Sequence, residues 1–148
     1  MTGRLRTDPS EVLEVVAQPR RVAVVGIKPP DSEAPAGGVP AYLADHGFTI
    51  VGVSPKLDTW DGDPVFRTLA EIPGPVDVVQ IFRRSEAVGQ HLDDILAMDP
   101  RPSVVWMQLG IRNDEVADAL VAAGIDVVQD HCMKIEHAKV LAASAAGG

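Results

Sequence analysis

The sequence lacks features that mark several large classes of protein. It has a single cysteine, Cys132, so no internal disulfide can form, and we expect a reducing compartment. Only 13 Lys and Arg residues stand against 21 Asp and Glu, a formal net charge of -8. This surface repels a phosphate polymer, so nucleic acid is not an expected partner. No apolar run approaches the roughly 20 residues that cross a bilayer, and the N-terminus shows no hydrophobic signal segment. A soluble cytoplasmic protein without membrane association is expected.

The residues that are present indicate one globular domain. The chain of 148 residues has 46% hydrophobic and 23% charged residues, which is typical of a protein with a buried core. Short β-branched runs alternate with segments of helical spacing, and turn residues separate them. The predicted strands cover residues 21–26, 48–53, 76–82, 104–109 and 126–129, with a short additional strand at 65–66. The predicted helices cover residues 9–17, 39–46, 85–98, 113–123 and 134–143.

This alternation predicts an α/β fold: a Rossmann-like, doubly wound, mainly parallel sheet with helices on both faces. Asp8 and Ser85 are the expected N-caps of two helices. The proline-rich stretch 29–40 is interpreted as a loop inside the fold. The whole chain, 1–148, is expected to be a single domain with an N-terminal helix at about 9–17, a core at about 19–141 and a frayed tail at 142–148.

The glycine fingerprint of a dinucleotide-binding loop is incomplete. The first strand ends on Gly26, but Ile27-Lys28-Pro29-Pro30 follows where two more glycines and a helix would be expected. An NAD-binding fold also places an acidic residue after the second strand to hold the ribose. Here Ser54-Pro55-Lys56 follows that strand, and no acid occurs before Asp58. Both differences argue against NAD.

Cations follow three of the predicted strands. Ligands of doubly wound sheets bind outside the carboxyl ends of the strands, and Lys28, Lys56, Arg83 and Arg84 are expected at that edge. In an acidic protein, such a group suits a compact polyanion such as a nucleotide cofactor. The alternative is that these residues keep aggregation-prone strands soluble. The loop 28–37 is predicted to be mobile without ligand.

Several motifs in order resemble the CoA-binding domain family, small stand-alone relatives of the first domain of the succinyl-CoA synthetase α subunit. They are RRVAVVG, VGVSPK, PVDVVQIFRRSEAV, VVWMQLGIRNDEVADAL and VVQDHCMKIEH, and the resemblance covers residues 19–141. It implies a Rossmann-like fold with coenzyme A (CoA) or an acyl-CoA held at the strand ends. It also implies that Phe82, at the end of the third strand, lies beside the adenine rather than in the core. The residues matched to the family's site are Gly26, Ile27, Lys28, Ser54, Pro55, Lys56, Ile81, Phe82, Arg83, Arg84, Gln108, Leu109, Gly110 and Cys132.

The sequence departs from the family pattern in two places. Many relatives have serine where this chain has Lys28, and their following loop is shorter and less rich in proline. The synthetase subunit also continues into a second domain with a phosphorylated histidine, which has no counterpart here. We therefore expect a sensor, carrier or regulatory module without catalytic residues, acting as a homo-oligomer or with an unidentified protein partner. The alternatives are a subunit of a CoA-dependent transferase or ligase, an NADP-linked reductase, and a scaffold that has lost its ligand.

Three interpretations remain open for one group of residues: Asp130, His131, Cys132, Glu136 and His137. These residues could ligate zinc, Cys132 could be a reactive thiol at a helix N-terminus, or the acids could cap a helix while the other side chains pack. The last interpretation, helix capping and packing, is favoured, and no metal is expected. Trp60 is a candidate cover for the ligand, whereas Trp106 is expected in the core.

Overall fold

The computed structural model describes residues 2–147, and the side chains of residues 2–145. Its strands are β1 (Arg21–Val25), β2 (Thr49–Val53), β3 (Thr59–Trp60), β4 (Asp63–Pro64), β5 (Val78–Ile81), β6 (Val104–Met107) and β7 (Asp126–Val128). Five of them form a parallel sheet in the order β2-β1-β5-β6-β7, and β3 pairs with β4 in a separate hairpin. Counted within the sheet alone, this is the 2-1-3-4-5 order of doubly wound folds. The predicted Rossmann-like α/β fold is confirmed.

Helices cover both faces of the sheet, as predicted. They are α1 (Pro9–Val16), α2 (Pro35–Asp45), α3 (Leu92–Leu96), α4 (Asp114–Ala122) and α5 (Met133–Gly147). One apolar cluster joins α1, α2 and α5 to one face, and a second joins α3 and α4 to the other. The strands are buried on both sides because both faces are covered. None of the helices within residues 2–147 combines the length and hydropathy that a bilayer-spanning segment needs.

Helix α2 begins earlier than predicted, because the prolines and glycines before residue 39 are part of it. Pro35 lies in its first turn, and Pro40 lies inside it. Pro40 has no N–H, so the carbonyl of Ala36 lacks its helical donor; the Lys28 N–H donates to that carbonyl instead, at 3.1 Å. A Cβ at Gly37 would lie 2.2 Å from the Pro29 oxygen. The helix and the loop after β1 are thus built to pack closely together.

Three other predicted elements differ from the structure. Residues Ser85–His91 form a 3₁₀ helix that precedes α3, and the Ser85 hydroxyl accepts from the Arg112 N–H at 3.0 Å rather than capping a helix. Helix α5 continues to Gly147, beyond the predicted end, since alanines with high helical propensity follow Leu141; residue 148 lies outside the described residues. The strand expected at 65–66 is a single parallel bridge between Val53 and Phe66.

Candidate functional site

The carboxyl ends of β1 and β5 form the switch point of the sheet. The chain leaves β1 towards α2 on one face and leaves β5 towards α3 on the other, which opens a crevice between the two strand ends. Gly26 has φ of 82°, and a Cβ on it would lie 2.7 Å from the Phe82 oxygen. Its N–H donates to the Val53 carbonyl at 2.8 Å. Glycine is therefore required here, because its N–H bonds to the end of β2 while its Cα lies directly against the backbone that follows β5.

Two adjoining clefts lie at this switch point, with volumes of about 550 and 280 Å³. We call the two together the cation cleft. The shared wall consists of Lys28, Lys56, Phe82 and Arg83. The larger cleft adds Arg84, Glu86 and Ala87, and the smaller adds Gly26, Ile27, Pro29, Ser54, Pro55 and Leu57.

The cations of this cleft are largely uncompensated. Among residues 2–147, neither Lys28 nor Lys56 has a carboxylate oxygen within 4.0 Å. Arg84 makes only a loose, exposed contact with Glu86, at 3.9 Å, which contributes little. Arg83 reaches the amide oxygen of Gln90 at 3.5 Å. A concentration of positive charge therefore lies in one cleft of a chain with a net charge of -8.

The turn that presents Lys56 is held in place by side-chain hydrogen bonds. The Ser54 hydroxyl accepts from the N–H groups of Lys56 and Leu57, at 3.1 and 3.4 Å. The Arg67 guanidinium donates to the carbonyls of Ser54 and Leu57, at 2.8 and 2.7 Å, and is ion-paired with Asp58. The role of Arg67 could not be predicted from the sequence, because a loop residue without periodicity gives no signal of its tertiary partners.

The backbone that presents Lys28 is held by a buried tryptophan. Trp60 has only 5% of its surface exposed, and its Nε1–H donates to the Lys28 carbonyl at 2.9 Å. The expectation that Trp60 covers a ligand is therefore wrong: this ring packs in the core, and its polar edge orients the cleft loop. Trp106, predicted in the core, is fully buried.

Binding of the CoA that the family resemblance implies is expected to slow amide exchange in the loop between β1 and α2, mainly at residues 31–34, because Pro29 and Pro30 have no amide hydrogen. Lys28 is already bonded to Ala36 and Trp60, and residues from Pro35 onwards belong to α2, so the part expected to be mobile is shorter than the predicted 28–37. Hydrogen exchange with and without CoA measures this. Unchanged exchange at residues 31–34, with binding shown independently, would place the ligand away from this loop.

The structure brings most of the predicted site residues together. Those lining the cation cleft are Gly26, Ile27, Lys28, Ser54, Pro55, Lys56, Phe82, Arg83 and Arg84. Those at the same sheet edge but outside its lining are Ile81, Gln108, Leu109, Gly110 and Cys132. Ile81 is fully buried in the core and Cys132 is 8% exposed, whereas Leu109 is 58% exposed. The Gly110 N–H donates to Asp130 Oδ1 at 2.6 Å.

The residues considered as zinc ligands are engaged in separate local contacts. The His131 ring lies 3.2 Å from the Glu136 carboxylate, which also accepts from Lys139. His137 instead pairs with the Tyr42 hydroxyl at 2.9 Å, and Cys132 packs in the apolar cluster of α1, α2 and α5. Within the described residues, no three His, Cys, Asp or Glu side chains are grouped to hold a metal ion. Asp130 accepts from the Gly110 N–H rather than capping α5, so the expected helix cap is not formed by this acid.

Acidification is expected to destabilise the protein through His137. Burial, and secondarily the neighbouring His46, lower the pKa of His137, so the folded state disfavours its protonation. The contribution of His137 to stability is therefore fully present above the ordinary histidine pKa, about 6.5, and it is lost as the pH falls below that value. His137→Gln, which can still accept from Tyr42, should flatten the decrease in melting temperature between about pH 6.5 and 5. His91, whose pKa burial also lowers, would retain part of the slope; identical slopes for both proteins would refute the assignment.

Comparison with known proteins gives consistent results for sequence and fold. The family model described as CoA binding domain matches residues 20–138. An uncharacterized protein of Bacillus subtilis, YneT, is 35% identical over 130 residues, which cover 87% of this chain and 93% of that protein. A solved structure from Thermus thermophilus, cell-free ID.343, is 34% identical with a TM-score of 0.82, covering 90% of this chain and 99% of the other. A dinucleotide-forming acetyl-coenzyme A synthetase of Ca. Korarchaeum cryptofilum shares the fold at 23% identity and a TM-score of 0.61, over 78% of this chain and 26% of the enzyme.

Proposed function

The chain belongs to the CoA-binding domain family, and on that premise we propose that it binds coenzyme A or an acyl-CoA in the cation cleft. The observation that carries this proposal is the meeting of Lys28, Lys56, Arg83 and Arg84 beside the half-buried ring of Phe82 at the switch point of the sheet. The chain then acts as a sensor, carrier or regulatory module, and supplies no catalytic residue of its own.

The chemistry of the cleft suits the nucleotide half of CoA. This half carries a 3′-phosphate, a pyrophosphate and an adenine. Charge-assisted contacts from Lys and Arg are the usual means of holding phosphate oxygens, and an aromatic face is the usual platform for a base. One side of Phe82 packs against the apolar cluster beneath α2 and α5, and the ring also lines both parts of the cleft.

The contacts around Asp58 favour CoA over NAD. Asp58 is the first acid after β2, and its carboxylate is ion-paired with Arg67. Arg67 in turn binds the carbonyls of the Ser54–Leu57 turn. Binding of a ribose diol, the role of the acid at this place in NAD-binding folds, would compete with the pairing of this carboxylate to Arg67.

A thermal-shift series with CoA, acetyl-CoA, dephospho-CoA, NAD, NADP and ATP tests the proposal. CoA or acetyl-CoA should raise the melting temperature in a concentration-dependent manner, because a ligand that binds only the folded state stabilises it by mass action. Stabilisation by NADP alone would support the reductase alternative and contradict the proposal. Stabilisation by ATP alone would also contradict the proposal.

Phe82→Ala is expected to weaken CoA binding by about 1–3 kcal/mol, the range for stacking of a base on an aromatic ring. Titration calorimetry measures the loss, and a denaturant melt measures the stability of the free protein. Phe82→Leu is the matched control, since it keeps apolar volume over the cluster but removes the flat ring. If both variants bind CoA normally and Phe82→Ala loses several kcal/mol of stability, the ring serves core packing alone.

A further inference from the structure

The 3₁₀ helix Ser85–His91 runs from the cation cleft to the core beneath α3 and α4. Glu86, near its start, lines the cleft, and His91 is its last residue. Val88 and Ile95, three residues before and four residues after His91, are fully buried in the apolar cluster of α3 and α4. Side chains at this spacing share one face of a helix, so the imidazole of His91 is turned towards the core.

One nitrogen of this imidazole is buried without a partner. Within the described residues, His91 Nε2 is sealed from solvent and makes no hydrogen bond. Protonation of the ring places a charged N–H at this atom, and a buried charged donor without an acceptor is costly. The residue as a whole is only half-buried, so a proton can still reach the ring. His91 is therefore a titratable group that the free protein holds in its neutral form near neutral pH.

Two charged groups act on His91 from neighbouring elements. Burial lowers the pKa of His91 most, the Arg83 guanidinium after β5 lowers it further, and the Asp94 carboxylate on α3 opposes them with a smaller effect. Asp94 is already engaged, since it accepts from the Leu69 N–H at 2.9 Å. Arg83 is thus the charge near His91 that a ligand in the cleft can reach.

Other charged side chains on the surrounding elements are either bonded elsewhere or exposed. Those bonded to other groups are Glu71, Arg101, Arg112 and Asp114. The others, which are exposed, are Glu86, Asp93, Glu115 and Asp118. Because water and salt screen exposed charges, Arg83 and Asp94 are the charges within residues 2–147 that act most strongly on His91.

Arg83 belongs both to the cleft and to the surroundings of His91. Its side chain lines both parts of the cleft and reaches the amide oxygen of Gln90, the residue before His91, at 3.5 Å. Among residues 2–147, no carboxylate oxygen lies within 4.0 Å of its guanidinium. A phosphate bound in the cleft becomes the counter-ion of Arg83, and the repulsion between Arg83 and a protonated His91 then falls.

We propose that binding of CoA in the cation cleft is coupled to uptake of a proton by His91, and that Arg83 is the residue that couples the two. This inference rests on the proposed function and adds regulation by pH to the same site. Because the coupling between two ligands is reciprocal, acidification favours CoA binding in turn. The gain arises below the ordinary histidine pKa, about 6.5, where the complex takes up a proton that the free protein does not.

NMR titration of the four histidine rings, with and without saturating CoA, tests the proposal. The His91 signal, assigned by its absence in His91→Gln, should titrate about 0.5–1 pH unit higher in the complex. Calorimetry should then show that wild-type affinity gains about 2- to 5-fold over that of His91→Gln between about pH 7.5 and 5.5. The 3′-phosphate of CoA also titrates near pH 6, but it affects both proteins alike.

Arg83→Gln should raise the pKa of His91 in the free protein and remove the further rise on binding. Arg84→Gln is the matched control, since Arg84 lines the larger cleft with its side chain 86% exposed and is not one of the charges that act on His91. This variant should bind CoA more weakly and keep the rise at His91. His137, which contacts Tyr42 on the opposite face of the sheet, should titrate alike with and without CoA.

An unchanged His91 titration in a protein saturated with CoA overturns this inference and leaves the proposed function intact. A rise that persists in Arg83→Gln overturns the coupling role of Arg83. Equal rises at His91 and His137 indicate a general effect of the ligand's charge and also overturn the inference. If the unmodified protein does not bind CoA, the proposed function itself fails, and this inference fails with it.

Discussion

Lys56→Ala is expected to weaken CoA binding by about 10- to 150-fold, because a contact between an ammonium group and a phosphate is worth roughly 1.5–3 kcal/mol. Lys56 is exposed in the cation cleft and has no ion-pair partner among residues 2–147. The turn beneath it is held by Ser54 and Arg67 through backbone atoms. The variant should therefore keep the melting temperature of the free protein. Titration calorimetry at two salt concentrations measures the effect, which should shrink as salt screens the contact.

Lys134→Ala is the matched control for this change. It removes the same charge from an exposed position on α5, where the ammonium lies 5.4 Å from the centre of the Tyr42 ring. Equal losses in both variants would indicate a general effect of net charge rather than a contact. Dephospho-CoA then identifies the phosphate: a loss for both ligands assigns Lys56 to the pyrophosphate, and a loss for CoA alone assigns it to the 3′-phosphate. Normal binding of both ligands by Lys56→Ala would exclude this turn from the site.

Gly26→Ala is expected to lower the free energy of unfolding by at least about 2 kcal/mol and to abolish tight CoA binding. The left-handed conformation alone costs an alanine roughly 1–2 kcal/mol. The new Cβ would also lie 2.7 Å from the Phe82 carbonyl, which belongs to the backbone and cannot move without shifting the end of β5. Denaturant unfolding gives the stability change, and calorimetry gives the affinity.

Gly62 provides a control that separates the cost of the left-handed backbone conformation from the cost of a steric clash. Gly62 has φ of 86°, but a Cβ on it would have no heavy atom within 4 Å. Gly62→Ala should therefore show only the conformational cost and normal CoA affinity. Equal destabilisation by both substitutions, with CoA binding retained in Gly26→Ala, would show that the close approach of β1 to Phe82 is not needed for the site.

The sheet and the cationic residues could be predicted from the sequence, because both depend on local patterns. Apolar β-branched runs such as Val22–Val25 form strands that are buried on both faces, and residues directly after parallel strands gather at one edge whatever the loops do. Asp8 caps α1 as predicted, with its side chain accepting from the Ser10 N–H. These features depend on residues that are near one another in the chain.

The contacts that hold the candidate site in place could not be predicted, because they join residues that are distant along the chain. The start of α2 could not be predicted, because Pro40 is tolerated there only where the Lys28 N–H replaces the missing donor to Ala36. The role of Trp60 could not be predicted either, since the carbonyl that it binds belongs to a residue 32 positions away.

The sequence by itself therefore determined the strand pattern, the acidic surface and which cations follow which strands. Only the tertiary structure decided that Lys28, Lys56 and Arg83 share one cleft, that Arg67 locks the turn beside it, and that Gln80 meets Gln108 within the core. The physical reason is that periodicity and turn chemistry report on a residue's immediate neighbours along the chain. A hydrogen bond between distant residues exists only once sheet order and register have placed its two partners side by side.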